Sequence, residues 1–531
     1  MRIERKGGGP WLNEHRSIAT FMRRTIEVHQ DAEADVVAAL AHRRGVMGEL
    51  IDYEARRDRE LCVTGSGWSQ SKLFHGFSSH VTTDEDEGIW PVPDEAFRDG
   101  VEGRQRYVLV TGGTKIHRLM DWLGHPDRDL SLRTAGSHKG QSIAGLVGTG
   151  SHGSTLGETG CEGHVRAVLL STGKDEAVWL TDPAHPVLRD EWVEQFARIG
   201  DPDHFAAAQV HLGGMGFVSA YLIEAVDEFY CGLVKRLRRL PSDWSALIAQ
   251  GRFAEAMGDI AQGRTPHYYE ITFDPFAPAG HEVLETIWLR IEAQAKPALD
   301  APPVHRTGFE ALHERAAQGL KDATENPLAP FMLEARLRDL IDVPGMLFDD
   351  FREHACDERD VPRTLSQLTA EWQPHRLFGL RVDVYNAAFA VPLERLPEAL
   401  SIAREMAAGT QDNIRHFSKD FVYTIRFAKK SPAAMGFLRF EDNAIINIDG
   451  LPKNFPLGTD AHVAARRLQY LLGKAGIPFG MHWGKDAQLG RAEIAEQYGA
   501  SVAAYRAARQ ALLGKDAEVF ISPALEKWGL A

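Results

Sequence analysis

The sequence lacks the features that mark several large classes of protein. Among 531 residues it has only four cysteines, Cys62, Cys161, Cys231 and Cys356, and none forms a CxxC pair, which argues against a zinc site. It contains no Walker-type phosphate loop and no apolar run long enough to span a membrane. We therefore expect a protein outside the membrane. So few cysteines indicate reduced thiols and a cytoplasmic location.

Positive charge is also in short supply. The formal net charge is −14, and no patch of clustered Lys and Arg interrupts the acidic balance. Because nucleic acids are bound through such patches, we expect no nucleic-acid partner. The charged N-terminal segment, residues 1–15, has no apolar stretch behind it, so it is not expected to be a secretory signal.

Strand-like and helix-like patterns alternate over about the first 225 residues, as in RYVLVTGGT followed by KIHRLMDWLG. This alternation predicts an α/β or α+β domain. From about residue 227 to 375, helix-forming stretches are expected to dominate: VLETIWLRIEAQAK, FEALHERAAQGLKDA and FMLEARLRDLID. Strand-like segments return at LFGLRVDVYNAAFAVP, FVYTIRFA and AIINIDG, and the last fifty residues are mainly helical around the tetrapeptide HWGK.

Three glycine-rich stretches are the main chemical signal. They are GSGWSQS (65–71), AGSHKGQSIAGLVGTGSHGSTLG (135–157) and HLGGMGFVSA (211–220). Glycine lets the backbone approach a ligand and aim several N–H groups at one point, which suits pyrophosphate oxygens. Each stretch alone is also compatible with an ordinary turn. The third precedes a strand rather than a helix, so it is not a Rossmann fingerprint.

The order and spacing of the three stretches resemble the FAD-binding (PCMH-type) domain of the vanillyl-alcohol oxidase flavoprotein family. The second stretch matches the pattern GxxxxxQSxAGxxxTGxHG, and HWGK at 482–485 is similar to the C-terminal motif of the aldonolactone and alditol oxidase branch. FVYTIRFAKKSPAAMGFLRFEDNAIINI also resembles that branch. The matches span most of the chain outside about 235–370.

The resemblance implies an α+β fold with a two-subdomain FAD-binding domain at 1–226. A substrate (cap) domain with a helical insertion would occupy 227–475, and a segment at 476–531 would return to the active site. It also implies a cofactor site, with no metal, whose expected residues are Gly65, Ser66, Gly67, Trp68, Ser69, Gln70, Gly136, Ser142, Gly145, Thr149, Gly150, Ser151, His152, Gly153, Gly213, Gly216, Val218 and Lys485.

One departure concerns the bond to the flavin. In this branch, a histidine in the first glycine-rich turn often binds the flavin covalently, and the corresponding residue here is Trp68. Because an indole nitrogen cannot form that bond, we expect non-covalent FAD. His75 and His80 lie after the turn, and Cys161 could give a thioether link, but all three are poorer candidates.

A second departure concerns the active site. Where the branch has Glu-x-Arg, this chain has Thr424-Ile425-Arg426, so the arginine is kept and the carboxylate is lost. Hydride loss from a carbon that bears a hydroxyl puts negative charge on the oxygen and on the flavin, and fixed cations stabilise both. We expect Arg426 and Lys485 to be those cations, although Arg426 by itself would fit a solvated strand. His482 is expected to orient Lys485 or accept a proton near neutral pH, and Ser151 to touch substrate.

The resemblance implies an oxidase or dehydrogenase that acts on a CH–OH carbon of a small molecule, with oxygen or another electron acceptor. Two alternatives remain open. One is a specialised oxidase of a larger, more apolar or biosynthetic substrate, favoured by Thr424 and the insertion. The other is a flavin-binding subunit that has lost catalysis. The sequence does not fix the substrate, the acceptor or the oligomeric state.

Overall fold

The computed structural model describes residues 1–531 except 15–17, 32–34, 72, 74–77, 279, 293–341, 371–375, 378–379, 382–383, 410–416, 418 and 452–459. The strands are β1 Arg2–Leu12, β2 Ala19–His29, β3 Leu61–Thr64, β4 Ser79–Glu85, β5 Ile89–Pro91, β6 Tyr107–Thr111, β7 Leu130–Ser131, β8 Val165–Gly173, β9 Glu176–Thr181, β10 Arg198–Ile199, β11 Phe217–Glu224, β12 Val226–Asp227, β13 Tyr230–Arg239, β14 Pro266–Phe273, β15 Glu282–Ile291, β16 Cys356–Arg363, β17 Arg376–Leu377, β18 Leu380–Arg381, β19 Tyr385–Pro392, β20 Phe421–Lys429, β21 Asp442–Gly450 and β22 Gly480–Met481.

The α-helices are α1 Val36–Ala55, α2 Ile116–Leu123, α3 Ile143–Gly148, α4 Asp190–Val193, α5 Phe205–Gln209, α6 Trp244–Ala249, α7 Phe253–Met257, α8 Val343–Glu353, α9 Leu365–Leu368, α10 Leu396–Ala407, α11 Asp460–Lys474, α12 Arg491–Tyr498, α13 Ala500–Leu513 and α14 Pro523–Trp528. No helix in the described part of the chain is both long and apolar enough to cross a membrane.

The N-terminal half contains two large sheets, as the two-subdomain prediction requires, and the short two-stranded pair β12-β7. The first has the order β1-β2-β4-β3, in which β2, β4 and β3 run parallel. The second has the order β10-β9-β8-β11-β6-β5 and is largely antiparallel. The first glycine-rich turn follows β3, and the third directly precedes β11. The two sheets therefore present both turns from the ends of strands.

An antiparallel eight-stranded sheet, β16-β13-β15-β14-β20-β21-β19-β22, forms the second half of the molecule. A continuous apolar core joins it to the N-terminal sheets, from Ile26 and Val81 to Phe389 and Ile446. The C-terminal helices return to the N-terminal half, where the Tyr505 hydroxyl donates a hydrogen bond to the carbonyl of His211 (2.6 Å). The domain boundaries at 226 and 475 stay predictions.

The expected helix over VLETIWLRIEAQAK is wrong for its described residues, because β15 occupies Glu282–Ile291. This strand pairs with β13 on one side and β14 on the other, and both faces are covered. A strand that is buried on both faces reads as a continuous apolar run, which periodicity alone cannot distinguish from a buried helix. The other two predicted helices, at 309–323 and 331–342, lie almost wholly outside the described residues.

Candidate functional site

A cavity of about 350 Å³ lies where the three glycine-rich stretches meet the eight-stranded sheet. Most of the sequence-predicted residues line it: Gly65, Ser66, Gly67, Trp68, Ser69, Gln70, Gly136, Ser142, Gly145, Thr149, Ser151, His152, Gly213, Gly216, Val218, Arg426, His482 and Lys485. Segments that are far apart in the chain thus converge on one enclosed space. Such a space is the usual form of a cofactor or substrate site.

Three of the predicted residues, Gly150, Gly153 and Thr424, do not line the cavity. Gly150 and Gly153 belong to the second glycine-rich stretch, and a Cβ at Gly153 would fall 2.5 Å from the carbonyl oxygen of Ala135. Thr424 is buried in β20, where its hydroxyl lies 3.3 Å from that of Thr272 on β14. Their contribution is to packing and strand contact.

The glycines of the cavity are required by close backbone approach. A Cβ at Gly65 would fall 1.8 Å from the Ser142 hydroxyl, so the first and second stretches can touch only without a side chain there. Gly216 has φ +103°, a conformation that other residues rarely adopt. The glycine content therefore follows from the shape of the site as well as from turn formation.

The residues on the wall fit a dinucleotide such as FAD. The buried Ser66 Oγ and Gln141 Oε1 have no hydrogen-bond partner among the described residues, and both side chains line the cavity. Buried polar atoms are nearly always satisfied in folded proteins, so these two atoms call for a polar ligand. The phosphate and ribityl oxygens of FAD, together with its amide and amine groups, supply both acceptors and donors.

The HWGK turn is anchored by its tryptophan. Trp483 is fully buried, donates from Nε1 to the Met435 carbonyl (2.6 Å) and packs against Trp528 at 4.8 Å between ring centroids. The Lys485 N–H donates to the carbonyl of His482 (3.2 Å), which closes the turn. The unusual tetrapeptide thus fixes the direction in which Lys485 leaves the backbone.

Lys485 donates from Nζ to Oδ1 of Asn447 on β21 (2.6 Å). Asn447 in turn donates from Nδ2 to the carbonyl of Thr424 (2.9 Å), so its amide orientation is determined. Burial and the neighbouring Arg426 lower the pKa of Lys485 to about 8, while Asp449 and Glu270 oppose the decrease. Near neutral pH the lysine is therefore a cation held by a neutral partner.

Arg426 donates from Nε to Oε2 of Glu270 on the neighbouring strand β14 (2.6 Å). The hydroxyl of Tyr268 donates to the same oxygen (2.9 Å). Burial acts against the charge of Arg426, but Glu270, Tyr268 and Asp449 together raise its pKa above the ordinary value. The guanidinium therefore stays charged where it meets the cavity.

His482 does not suit proton acceptance near neutral pH. Its Nδ1 accepts a hydrogen bond from the Gly484 N–H (3.0 Å), and burial with the charges of Lys485 and Arg426 lowers its pKa well below 6.5. His152, at 5.7 Å between ring centroids, has its pKa lowered in the same way. Both rings are neutral at neutral pH, so the expected role of His482 narrows to supporting the turn.

The residues considered for a covalent flavin link are placed differently. His80 is buried in β4 with its Nε2 2.6 Å from the Thr64 hydroxyl, and Cys161 faces a separate small pocket. Neither lines the large cavity, and His75 lies outside the described residues. Sequence reasoning missed His138, which lines the cavity with its ring 5.6 Å from that of Trp68.

Sequence reasoning also missed Asn386, Asn447, Asp449 and Glu270. Asn386 donates from Nδ2 to Oδ1 of Asp449 (2.8 Å), and both residues line the cavity. The signal for Asn447 and Asp449 was present, because polar residues at every second position interrupt the apolar strand AIINIDG. Glu270 gave only a weak signal, a single acid in PHYYEITF, since its partner lies 156 residues further along the chain.

Comparison with known proteins agrees with this geometry. No family model matches the chain. D-arabinono-1,4-lactone oxidase of Eremothecium gossypii is 26% identical over 180 residues, 34% of this chain and 30% of the relative. The enzyme of the same name from Saccharomyces cerevisiae is 25% identical over 208 residues, 39% of this chain and 35% of the relative. The matches cover about a third of those relatives' own length.

Two solved structures have the same architecture. Cholesterol oxidase from Brevibacterium sterolicum superposes with a TM-score of 0.65 at 13% identity, covering 99% of this chain and 97% of that one. 6-Hydroxy-D-nicotine oxidase from Arthrobacter nicotinovorans gives a TM-score of 0.54 at 12% identity, covering 89% and 88%. The chain has the fold of these oxidases. The predicted α+β fold is thereby confirmed, and the oxidase names of the partial relatives agree with the predicted resemblance to the vanillyl-alcohol oxidase flavoproteins.

Proposed function

We propose that the protein is an FAD-dependent oxidoreductase that oxidises a CH–OH carbon of a small organic substrate. The observation that carries this proposal is the pair of cations, Arg426 and Lys485, in a cavity lined by three glycine-rich stretches. FAD, when bound, accepts the hydride. The names of the partial relatives, lactone oxidases, point to the same reaction class.

The residues of the chain hold the charge that this reaction needs. Lys485, fixed by Asn447, and Arg426, fixed by Glu270, place two cations at the cavity before substrate enters. Fixed charge in a buried site stabilises negative charge on the substrate oxygen with little reorganisation. His152 and His482 are buried and neutral at neutral pH, so they add no further positive charge to the site.

Flavin reduction by candidate substrates tests the proposal. The purified protein should show a flavin absorbance spectrum that bleaches without oxygen when D-arabinono-1,4-lactone, an alditol or another hydroxylated candidate is added. Peroxide release under air, measured separately, distinguishes oxygen from another acceptor. A flavin that no alcohol, lactol or lactone reduces would contradict the proposal and favour a flavin-binding subunit without catalysis.

A larger, more apolar substrate is the second candidate. Thr424 faces Thr272, so two hydroxyls stand where the related branch has a carboxylate. One solved structure that matches almost the whole chain is a cholesterol oxidase. Including cholesterol in the same screen separates the two: reduction by the sterol and by no polyhydroxylated compound would select the second candidate.

The flavin is proposed to be held without a covalent bond, because Trp68 occupies the position of the linking histidine. Acid precipitation should release all FAD into the supernatant, and a yellow pellet would contradict the proposal. If the pellet is yellow, His138→Ala tests whether His138 forms the covalent bond, since His138 lies beside Trp68 on the cavity wall. We also propose a cytoplasmic location, where all four cysteines stay as the free thiols seen in the structure.

A further inference from the structure

The eight-stranded sheet carries a row of polar side chains on one face. In antiparallel strands, residues directly opposite one another point to the same face. Thr272 pairs with Thr424 and Ile271 with Ile425, so the next position places Glu270 opposite Arg426. Glu270 and Thr424 therefore lie on the same face, on adjacent strands, at diagonal positions.

Glu270 does not line the cavity, whereas Arg426 does. The carboxylate lies behind the guanidinium and accepts from Nε, the nitrogen nearest the backbone of the side chain (2.6 Å). The Tyr268 hydroxyl donates to the same oxygen and so also holds the carboxylate. The bond to Glu270 uses Nε and does not engage the two terminal nitrogens of Arg426.

We propose that Glu270 is a positioning residue for the reaction, which fixes the Arg426 guanidinium against the cavity and replaces, from the neighbouring strand, the carboxylate that position 424 lacks. The inference rests on the proposed function. Glu270 belongs to none of the sequence motifs. Its bond to Arg426 explains how the arginine is held although position 424 has no glutamate. Glu270 acts through Arg426 and does not touch substrate.

The first test compares Glu270→Gln with the wild type in rapid flavin reduction. The amide keeps the shape and an acceptor oxygen but loses the charge that strengthens the bond to Arg426, so the maximal rate should fall by about tenfold to hundredfold while KM changes little. Glu358→Gln is the matched control, because Glu358 also pairs with an arginine, Arg363, but at the edge of the sheet. Rates within about twofold of wild type would overturn the proposal.

Sulfite titration of the oxidised flavin gives a readout that needs no substrate. Removing a negative charge should strengthen binding of an anion if only net charge matters, whereas loss of a fixed Arg426 should weaken it. We expect weaker sulfite binding in Glu270→Gln, measured by the loss of visible flavin absorbance. Tighter or unchanged binding would overturn the positioning role. Because the measurement is independent of substrate oxidation, it still decides the question if the proposed function fails.

A third test moves the carboxylate from position 270 to position 424. The double variant Thr424→Glu/Glu270→Thr restores the Glu-x-Arg arrangement and empties the position on β14. It should recover at least about tenfold of the rate lost in Glu270→Gln. No recovery, with normal FAD content, would count against the proposal. If Glu270→Gln does not fold, Tyr268→Phe removes one support of the same carboxylate and should weaken sulfite binding in the same direction; an unchanged affinity would overturn the proposal.

Discussion

Two arginines of this molecule, one fully buried and one partly exposed at the cavity, are bound to carboxylates in different ways. Arg43 on α1 donates from both terminal nitrogens to Asp86 (2.6 Å each), and one of them also reaches Gln30 (2.8 Å). Both side chains of that pair are 0% exposed. Arg426 donates to Glu270 through Nε and remains at the cavity wall.

This difference distinguishes an arginine that stabilises the fold from one that can bind a ligand. An arginine whose terminal nitrogens are both held by a carboxylate has no face left for a ligand, and its pair is part of the core. An arginine held through Nε is oriented but still available. What distinguishes Arg426 from Arg43 is its place on the cavity wall together with terminal nitrogens that Glu270 does not engage.

The largest effect should come from breaking the structural pair. Arg43→Ala leaves Asp86 as an unpaired buried charge, which should destabilise the protein by about 3–5 kcal/mol. Denaturant unfolding of the purified protein measures the change. Arg252→Ala, which removes an exposed pair with Glu255, should leave the unfolding midpoint where it is. A loss of flavin reduction without a loss of stability in Arg43→Ala would contradict the structural role given to Arg43.

Removing Lys485 should change the reaction rate and leave the stability of the protein almost unchanged. Lys485→Ala should leave FAD bound and the unfolding midpoint close to wild type, but slow flavin reduction by about 100-fold to 1000-fold. Lys429→Ala, an exposed lysine at the end of the strand that carries Arg426, is the control and should react normally. Unchanged reduction kinetics in Lys485→Ala would remove that residue from the site.

The residues in these predictions differ in how well the sequence alone could identify them. HWGK and the glycine-rich stretches are local, because each forms a turn of a few residues, and so most of the residues that line the cavity could be named from the sequence. Glu270 was not, because its role depends on strand register between segments 156 residues apart. The Arg43–Asp86 pair likewise depends on tertiary packing and has no motif. The strand Glu282–Ile291 was misassigned because its hydrophobicity reflects burial on both faces.

The pH dependence of flavin reduction tests whether Lys485 acts as a charged group. Its pKa is lowered to about 8, first by burial and then by Arg426, against Asp449 and Glu270. The rate should be highest below that pH and fall about tenfold per unit above it. Since the ordinary pKa is 10.5, the unfolded chain binds more protons between pH 8 and 10.5, so this group's contribution to stability rises there. A flat profile would contradict a charged role.

The smallest effect is expected from Thr424→Glu alone. A carboxylate at this position would face Thr272 and lie near Arg426, so it would give Arg426 a second partner and change how the guanidinium meets a substrate hydroxyl. We expect a severalfold shift in kcat/KM toward polyhydroxylated substrates over apolar alcohols. Thr424→Gln is the neutral control. Equal selectivity in both variants would show that the charge at position 424 does not influence the choice of substrate.

The first glycine-rich turn and the HWGK turn are joined directly. The Gln70 N–H donates to the carbonyl of Gly484 (2.8 Å), and the Gln70 side chain bonds to the backbone of Val384 and Asn386. The first glycine-rich turn and the segment that presents Lys485 therefore form one hydrogen-bonded unit, although 414 residues separate Gln70 from Gly484. A ligand that binds the first turn should stabilise both segments. Loading with FAD should therefore protect the amide hydrogens at 482–486 from exchange.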